Sequence, residues 1–391
     1  MRKLVVLGSL ALAAWTLAGC GPQVSPFPGS EVLGKADLQY YWDLTLDLDE
    51  DESLERLYLR DETLYCVTDR NRVLVLDAGR GTMRWSAELA AEGLEVFAPV
   101  HADGVRVPPE IVGMREILAG ETQMGEPFDA VFFNTVSHVL LFDRRTGEKR
   151  RDIPLGFACG TTGTTDGQRF YAPAIRGSVH AIDLPEVVDL WSMGTDAFIA
   201  AAVREHDGYL YAADESGTVY AARAGDVKGA TYREPVSGPV TADFHVDERG
   251  VFLPARNGRI HGLALGLTGR LWEPVIVEGD LLDAIQVGEA TLYQHATPSR
   301  LYAVDVQTGQ TRWQMDRGRQ VLAVQEGTVY LRDDARFLRV VDEQSGKVRV
   351  SLPLGGMSVF APNVRTDAIY AASAAGRVFC IRPAQAGLPQ P

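Results

Sequence analysis

Short apolar runs separated by turn-forming residues recur along the whole chain after the first 20 residues. Examples are TLYCV, RVLVLD and LYAVD, and the residues between such runs are mostly Gly, Asn, Asp and Ser. Runs of this length, bounded by turn residues, are typical of buried β-strands. Long patterns of helical periodicity are scarce, so the hydrophobic pattern predicts an all-β protein.

The strand pattern repeats with a regular spacing. Counting from Tyr293, an aspartate follows 12 residues later (Asp305), a glycine 16 later (Gly309) and a tryptophan 20 later (Trp313). The same count, with partial matches, starts at eight aromatic positions: Tyr65, Phe133, Tyr171, Tyr211, Phe252, Tyr293, Tyr330 and Tyr370. A period near 40 with about four short strands per unit is typical of a β-propeller. We therefore predict eight four-stranded antiparallel blades.

The repeated unit, as in LYAVDVQTGQTRW and VLVLDAGRGTMRW, resembles the PQQ-like propeller repeat of the tryptophan-docking type over roughly residues 37–383. The eighth unit lacks a last strand. We expect the N-terminal YYWDLTL to supply that strand and close the ring, which would remove exposed strand edges.

Two residue types recur at fixed positions in this repeat. We expect the tryptophans to pack between adjacent blades, and a ligand-stacking cluster is the alternative. They are Trp42, Trp85, Trp191, Trp272 and Trp313. We expect the aspartates to accept backbone N–H bonds in turns on separate blades. They are Asp77, Asp183, Asp305 and Asp342.

The N-terminus has the layout of a secretory signal: basic residues, an apolar run and small residues before Cys20. LAGC at residues 17–20 resembles the lipobox of bacterial lipoproteins, which implies cleavage after residue 19 and lipidation of Cys20. By resemblance to sorted lipoproteins, Gly21 favours the outer membrane, with the protein facing the periplasm. We predict a signal peptide (1–19), a flexible tether (20–36) and one propeller domain (37–391).

The chain is acidic, with a net charge of −14, and removal of residues 1–19 makes this −16 because only Arg2 and Lys3 are charged there. Such a charge repels nucleic acid at long range, so a nucleic-acid function is set aside. The seven histidines show no metal-binding spacing, and no metal or cofactor is expected.

The spacing between the first two units is longer than the others and predicts an insertion at about residues 101–128. An insertion on a rigid scaffold is a natural place for partner contacts, and a decorative loop is the alternative. Cys66 and Cys380 fall on units that would be neighbours in a closed ring. They are either packed as free thiols or bridged, which the sequence leaves open.

Three functions are compatible with such a chain. The layout of lipobox, tether, eight units and closing strand resembles the BamB family of accessory lipoproteins in outer-membrane β-barrel assembly. That resemblance implies a non-catalytic scaffold that contacts protein partners through inter-blade loops. A periplasmic propeller that binds polysaccharide or peptide is the alternative. A PQQ-dependent dehydrogenase is disfavoured, because such enzymes carry adjacent cysteines and no two cysteines are adjacent here.

Overall fold

The protein folds into eight four-stranded antiparallel sheets, which confirms the predicted eight-bladed β-propeller. The structure is a computed structural model that describes residues 27–108, 124–225 and 231–386. In the first half of the chain the elements are α1 (Ser30–Gly34), β1 (Leu38–Thr45), β2 (Leu54–Arg60), β3 (Thr63–Thr68), β4 (Arg72–Asp77), β5 (Met83–Glu88), β6 (Val100–Val105), β7 (Phe128–Asn134), β8 (His138–Asp143), β9 (Lys149–Pro154), β10 (Thr164–Thr165), β11 (Arg169–Ala174), β12 (Ser178–Asp183), β13 (Asp189–Gly194), β14 (Arg204–His206), β15 (Tyr209–Ala213), β16 (Thr218–Arg223) and β17 (Tyr232–Pro235). In the second half they are β18 (His245–Asp247), β19 (Gly250–Ala255), β20 (Arg259–Leu263), β21 (Arg270–Ile276), β22 (Gln286–Val287), β23 (Thr291–Ala296), β24 (Arg300–Asp305), β25 (Thr311–Asp316), β26 (Gly318–Gln325), β27 (Thr328–Asp333), β28 (Phe337–Asp342), β29 (Val348–Pro353), β30 (Val359–Ala361), β31 (Ile369–Ala372) and β32 (Arg377–Pro383), with two 3₁₀ turns at Leu265–Leu267 and Ala384–Ala386.

Blades 1 to 7 each use four consecutive strands, so blade 1 is β2–β5 and blade 7 is β26–β29. The first strands of successive blades contact one another: β6 contacts β10, and β10 contacts β14. The first strands therefore line the ring axis. In such an antiparallel order, the first-to-second and third-to-fourth hairpins lie on one face. We call it the hairpin face. The second-to-third turns and the connections between blades lie on the opposite face, called the loop face.

Blade 8 is completed by the N-terminus, as predicted. Its sheet order is β1-β32-β31-β30, and Trp42 of β1 pairs with Cys380 of β32. In the other blades a turn connects the third and fourth strands, but in blade 8 these strands come from opposite ends of the chain and no turn connects them. In place of the turn, the backbone N–H of Ala384 donates to the carbonyl of Asp37 at 2.8 Å. The ring is therefore closed by hydrogen bonds, which removes an unpaired sheet edge.

The aromatic starts of the repeat lie on the second strand of each blade, with one correction. Thr63 pairs with Asp77 in blade 1, and Ala130 pairs with Asp143 in blade 2. The counterpart of Tyr65 is therefore Phe132, one residue before the predicted Phe133. Because successive side chains of a strand point to opposite surfaces of the sheet, a shift of one residue reverses the predicted direction of each side chain. Phe132 therefore faces blade 3, and Phe133 packs with Tyr65 of blade 1.

The blades are sealed by apolar side chains on both surfaces of the central strands. All six residues of β3 are buried, and so are all six of β19. A strand covered on both sides reads as a continuous apolar run rather than an alternating one. This explains why runs such as TLYCV carry no polar alternation.

Part of the predicted tether packs against the propeller. Residues 27–37, called the strap, lie over the seam between blades 7 and 8. Leu33 of α1 is 2% exposed within the core shared by these blades, and the Phe27 ring lies 4.7 Å from that of Phe379. The hydroxyl of Tyr40 donates to the Pro28 carbonyl at 2.7 Å. The apolar residues of this Pro- and Gly-rich segment make it part of the folded domain.

The predicted insertion lies in the first hairpin of blade 2, on the hairpin face. Residues 101–105 belong to β6, so the extra segment begins at Arg106 and ends before β7. Residues 109–123 of this segment lie outside the described residues.

Cys66, Cys159 and Cys380 are free, buried thiols, so the hypothesised bridge between Cys66 and Cys380 is not formed. Burial raises the pKa of Cys159 and of Cys380 to about 12. The part of the chain that the structure describes contains no helix long and apolar enough to cross a membrane.

Candidate functional site

Four of the five predicted tryptophans make the same contact across a blade seam. Each indole Nε1–H donates to a carbonyl of the next blade, at 2.7 to 3.1 Å. The donor–acceptor pairs are Trp42–Ala78, Trp85–Arg144, Trp272–Val306 and Trp313–Glu343. The indole also packs on a positive-φ glycine of the same turn, where a Cβ would lie 2.5 to 2.6 Å from the ring: Gly81, Gly147, Gly309 and Gly346, respectively. Trp191 is 9% exposed, and the corresponding turn of its neighbour includes residues 226–230, outside the described part.

The four predicted aspartates accept backbone N–H bonds in the turns between the third and fourth strands. Asp77 accepts from Arg80 at 2.9 Å, Asp183 from Glu186 at 2.9 Å, Asp305 from Thr308 at 2.9 Å and Asp342 from Ser345 at 3.0 Å. Because they lie on blades 1, 3, 6 and 7, they do not converge on one site. Among the described residues, no group of three or more His, Cys, Asp or Glu side chains is arranged to hold a metal ion.

Blades 2, 4 and 7 lack the tryptophan and carry Arg151, Tyr232 and Val350 at its register position. The next turn differs in each case from the turns that receive an indole. Blades 3 and 5 have Val187 and Leu267 at positive φ (both 56°) in these turns. Blade 8 has no covalent turn there, and the strap covers the seam instead. The four indoles described above all pack on a positive-φ glycine, but such a glycine is not sufficient, since Gly266 in the turn of blade 5 receives none.

The loop face carries an exposed apolar pair, Phe198 and Ile175. The Phe198 side chain is 55% exposed on the connection between blades 3 and 4, and Ile175 is 48% exposed on the neighbouring turn of blade 3. The turn and the connection abut closely. A Cβ on Gly177 would lie 2.5 Å from the Ala197 carbonyl oxygen.

A buried carboxylate holds this connection in place. Asp214 is 0% exposed and accepts the backbone N–H groups of Asp196 and Ala197 at 3.1 and 3.0 Å. The Tyr220 hydroxyl donates to the same carboxylate at 2.9 Å. Burial would raise the pKa of Asp214, but hydrogen bonds led by those from Ser216 and Tyr220 outweigh it, and the pKa is lowered. The connection that carries Phe198 is thus held in place, which reduces the ordering cost of binding a partner.

The sequence did not single out these residues. Asp214 lies three residues after the repeat position Tyr211 and directly before the turn ESGTV. An acidic residue at that place could have been predicted to accept backbone N–H bonds from the turn. Phe198 and Ile175 lie outside the repeat positions. The one feature of the sequence that could have indicated an exposed apolar surface was an aromatic residue, Phe198, in a connection between blades.

The hairpin face holds a cavity of about 980 Å³ lined by hairpins of blades 5 to 8. Two ion pairs lie among its lining residues. Asp247 pairs with Arg249, and Asp367 pairs with Arg382 at 2.9 Å. No nucleophile hydrogen-bonded to a base is found among its lining residues within the described chain.

Comparisons with known proteins agree with this geometry. The crystal structure of BamB from Moraxella catarrhalis superposes with a TM-score of 0.62 and 14% identity, covering 88% of this chain and 99% of that one. The computationally designed protein Ika8 superposes with a TM-score of 0.63 and 13% identity, covering 86% and 98%. At this identity both show the fold alone. No curated protein matches the sequence significantly.

The family comparison extends beyond the fold. The family model PQQ_2, described as outer membrane protein assembly factor BamB, matches residues 136–316 and 297–386, which together make up more than half of the chain. The matched part contains blades 3 to 7 and the first three strands of blade 8. On this match, the chain belongs to the PQQ-like propeller family described as outer membrane protein assembly factor BamB.

Proposed function

We propose that this protein is a lipid-anchored, non-catalytic scaffold that assists outer-membrane protein assembly by binding a protein partner. The observation that carries the proposal is the family match over residues 136–386, in a chain that also has a lipobox at residues 17–20. The separate, buried cysteines support a non-catalytic role, because the dehydrogenases with this repeat characteristically carry an adjacent pair.

The anchor is the acylated Cys20. A single acyl chain binds membranes marginally, whereas the diacylglyceryl group of a lipoprotein gives stable attachment. We expect the wild-type protein in the outer-membrane fraction and Cys20→Ser in the soluble periplasmic fraction. Retention of Cys20→Ser in membranes would contradict the lipid anchor and leave the scaffold proposal standing.

The partner surface is the loop face around the apolar pair. Aromatic residues are over-represented among the few side chains that dominate binding energy, and they act best when pre-ordered. Phe198 meets both conditions, since it is exposed and its connection is pinned by Asp214. The insertion after Arg106 connects β6 to β7, whose joined ends are at the opposite face, and we propose it as a second, independent contact region.

The test is an affinity pull-down from detergent-solubilised membranes, with the lipidated full chain as bait and mass spectrometry as the readout. We expect recovery of the large β-barrel assembly protein. Phe198→Glu should reduce recovery at least tenfold, because it places a charge in an apolar contact. Met83→Glu is the matched control, since Met83 is 47% exposed at the start of β5, on the hairpin face.

Equal loss of the partner with both variants would remove the loop face from the proposal. Enrichment of a different partner by the wild-type chain would remove the assembly role.

A further inference from the structure

A small cavity of about 220 Å³ lies between blades 6 and 7, close to the ring axis and at the ends of strands that meet the loop face. We call it the arginine pocket and define it by Asp283, His295, Arg319, Gln320 and Arg332, which line it. Since a water molecule occupies about 30 Å³ in the liquid, the pocket has room for several waters or one small anion.

Among the described residues that line the pocket, Asp283 supplies the one carboxylate, and it is already engaged. This carboxylate accepts the Nδ1–H of His295 at 2.6 Å, and a guanidinium N–H of Arg319 donates to its other oxygen at 3.2 Å. A second guanidinium nitrogen of Arg319 lies 3.2 Å from His295 Nδ1 and 3.3 Å from His295 Nε2, so it packs over the imidazole ring. The His295 side chain is 2% exposed, so this triad is a fixed wall of the cavity.

The second cation has no such partner within the described chain. Arg332 donates through Nε to the neutral Oε1 of Gln320 at 2.8 Å, and its guanidinium lies 5.4 Å from the centre of the Phe360 ring. No carboxylate among the described residues is within ion-pair distance of it. Burial, followed by repulsion from Arg319, lowers the pKa of Arg332, while the nearby charges of Asp334 and Asp283 oppose this shift. A partly buried guanidinium without a direct ion-pair partner is costly, and an anion beside it would remove much of that cost.

We propose that the arginine pocket binds a compact oxyanion, a carboxylate or a phosphate, between the guanidinium groups of Arg319 and Arg332. The amide of Gln320 lines the same wall and supplies a neutral donor. Access from solvent is open, since the Arg319 and Asp283 side chains are 33% and 39% exposed. The pocket is a local cationic site on a chain of net charge −14, so an anion is held there by direct contacts rather than long-range attraction.

The two sources of this chemistry are free phosphate and the terminal carboxylate of a peptide. Both are tested on the detergent-solubilised full chain. Inorganic phosphate is titrated by calorimetry, and a fluorescent pentapeptide is compared as the free acid and as the C-terminal amide by anisotropy. Tighter binding of the acid than of the amide supports a peptide terminus. Phosphate binding with no difference between acid and amide supports a phosphate-type ligand.

Two variants and one control locate the site. Arg332→Gln should weaken anion binding at least tenfold. Arg317→Gln removes the same charge from an exposed residue two positions before Arg319 and outside the pocket wall, and it should change affinity less than twofold. Gln320→Glu should abolish the anion response and raise the thermal midpoint of the ligand-free protein, because an internal carboxylate then neutralises Arg332.

Failure of the wild-type chain to bind either probe overturns the proposal. So does equal weakening by Arg332→Gln and Arg317→Gln, or a lowered thermal midpoint in Gln320→Glu. The pocket is separate from the apolar pair, so loss of the partner in the pull-down with intact anion binding would contradict only the scaffold function.

Discussion

The contact between Trp313 and Gly346 makes a sharp prediction about what stabilises the blade seams. Trp313 is 7% exposed and donates its indole N–H to the Glu343 carbonyl at 2.7 Å. Gly346 has φ +70°, and a Cβ there would lie 2.6 Å from Trp313 Cγ. The indole therefore fills the space into which a side chain at position 346 would project, and substitutions at the two positions should be energetically coupled.

The magnitudes follow from the geometry. Trp313→Ala should lower the free energy of unfolding by about 3–5 kcal/mol, the range for large aromatic truncations. Gly346→Ala should cost about 1–2 kcal/mol for the left-handed backbone, plus about 1–3 kcal/mol for overpacking against the indole. In the Trp313→Ala background the overpacking disappears. The double variant should therefore be more stable than the sum of the single effects predicts, by about 1–3 kcal/mol.

The assay is urea unfolding followed by far-ultraviolet circular dichroism, since removal of Trp313 alters the fluorescence. Gly327→Ala is the matched control, because Gly327 has φ +76° but a Cβ there would meet no atom within 4 Å. Its cost should be additive with Trp313→Ala to within about 0.5 kcal/mol. Additive behaviour at Gly346, or equal coupling at Gly327, would refute the proposed contact.

Three further predictions concern other parts of the ring. Burial, with Arg270 and Arg259 nearby, lowers the pKa of His261 to about 4, below its ordinary value of 6.5. The neutral imidazole therefore stabilises the fold above pH 6.5, and this contribution is lost as the pH falls through 4. The contribution amounts to about 3 kcal/mol. In urea melts from pH 7 to 4, the free energy of unfolding should therefore fall less steeply for His261→Leu than for the wild type. Identical slopes would contradict the prediction. Leu33→Ala should cost about 2–5 kcal/mol in the same assay, whereas a loss below about 1 kcal/mol would show that the strap is peripheral. Apart from Cys20, unfolding without reductant should expose three thiols to a thiol reagent. A count of one would restore the Cys66–Cys380 bridge.

The architecture was predictable because a blade is built from residues close together in sequence. The strands and turns of one unit lie within about 40 residues, so the spacing of Tyr, Asp, Gly and Trp reports directly on each blade. The closing strand was predictable for a different reason: the last unit lacked a fourth strand, and the N-terminal segment carried an unassigned copy of one. The slip from Phe133 to Phe132 shows the limit of this approach: a shortened unit changes the register, which only the strand pairing reveals.

The strap was mispredicted because composition does not report where a segment finds an apolar surface. Residues 27–36 read as part of a Pro- and Gly-rich linker, yet Leu33 fills a seam that Val350 leaves without an indole. That seam forms only after the ring has closed, so no local pattern announces it.

The sequence by itself determined the number of blades and the turn positions, because each depends on neighbouring residues, and the incomplete last unit indicated the closing strand. Only the tertiary structure decided which side chains from different blades meet. The turn of blade 3 that carries Ile175 lies against the connection that carries Phe198, and the arginine pocket brings together Asp283 and Arg332, 49 positions later in the chain. Such convergence depends on the curvature of a closed ring, and residues outside the repeat positions carry no periodic pattern that would reveal it.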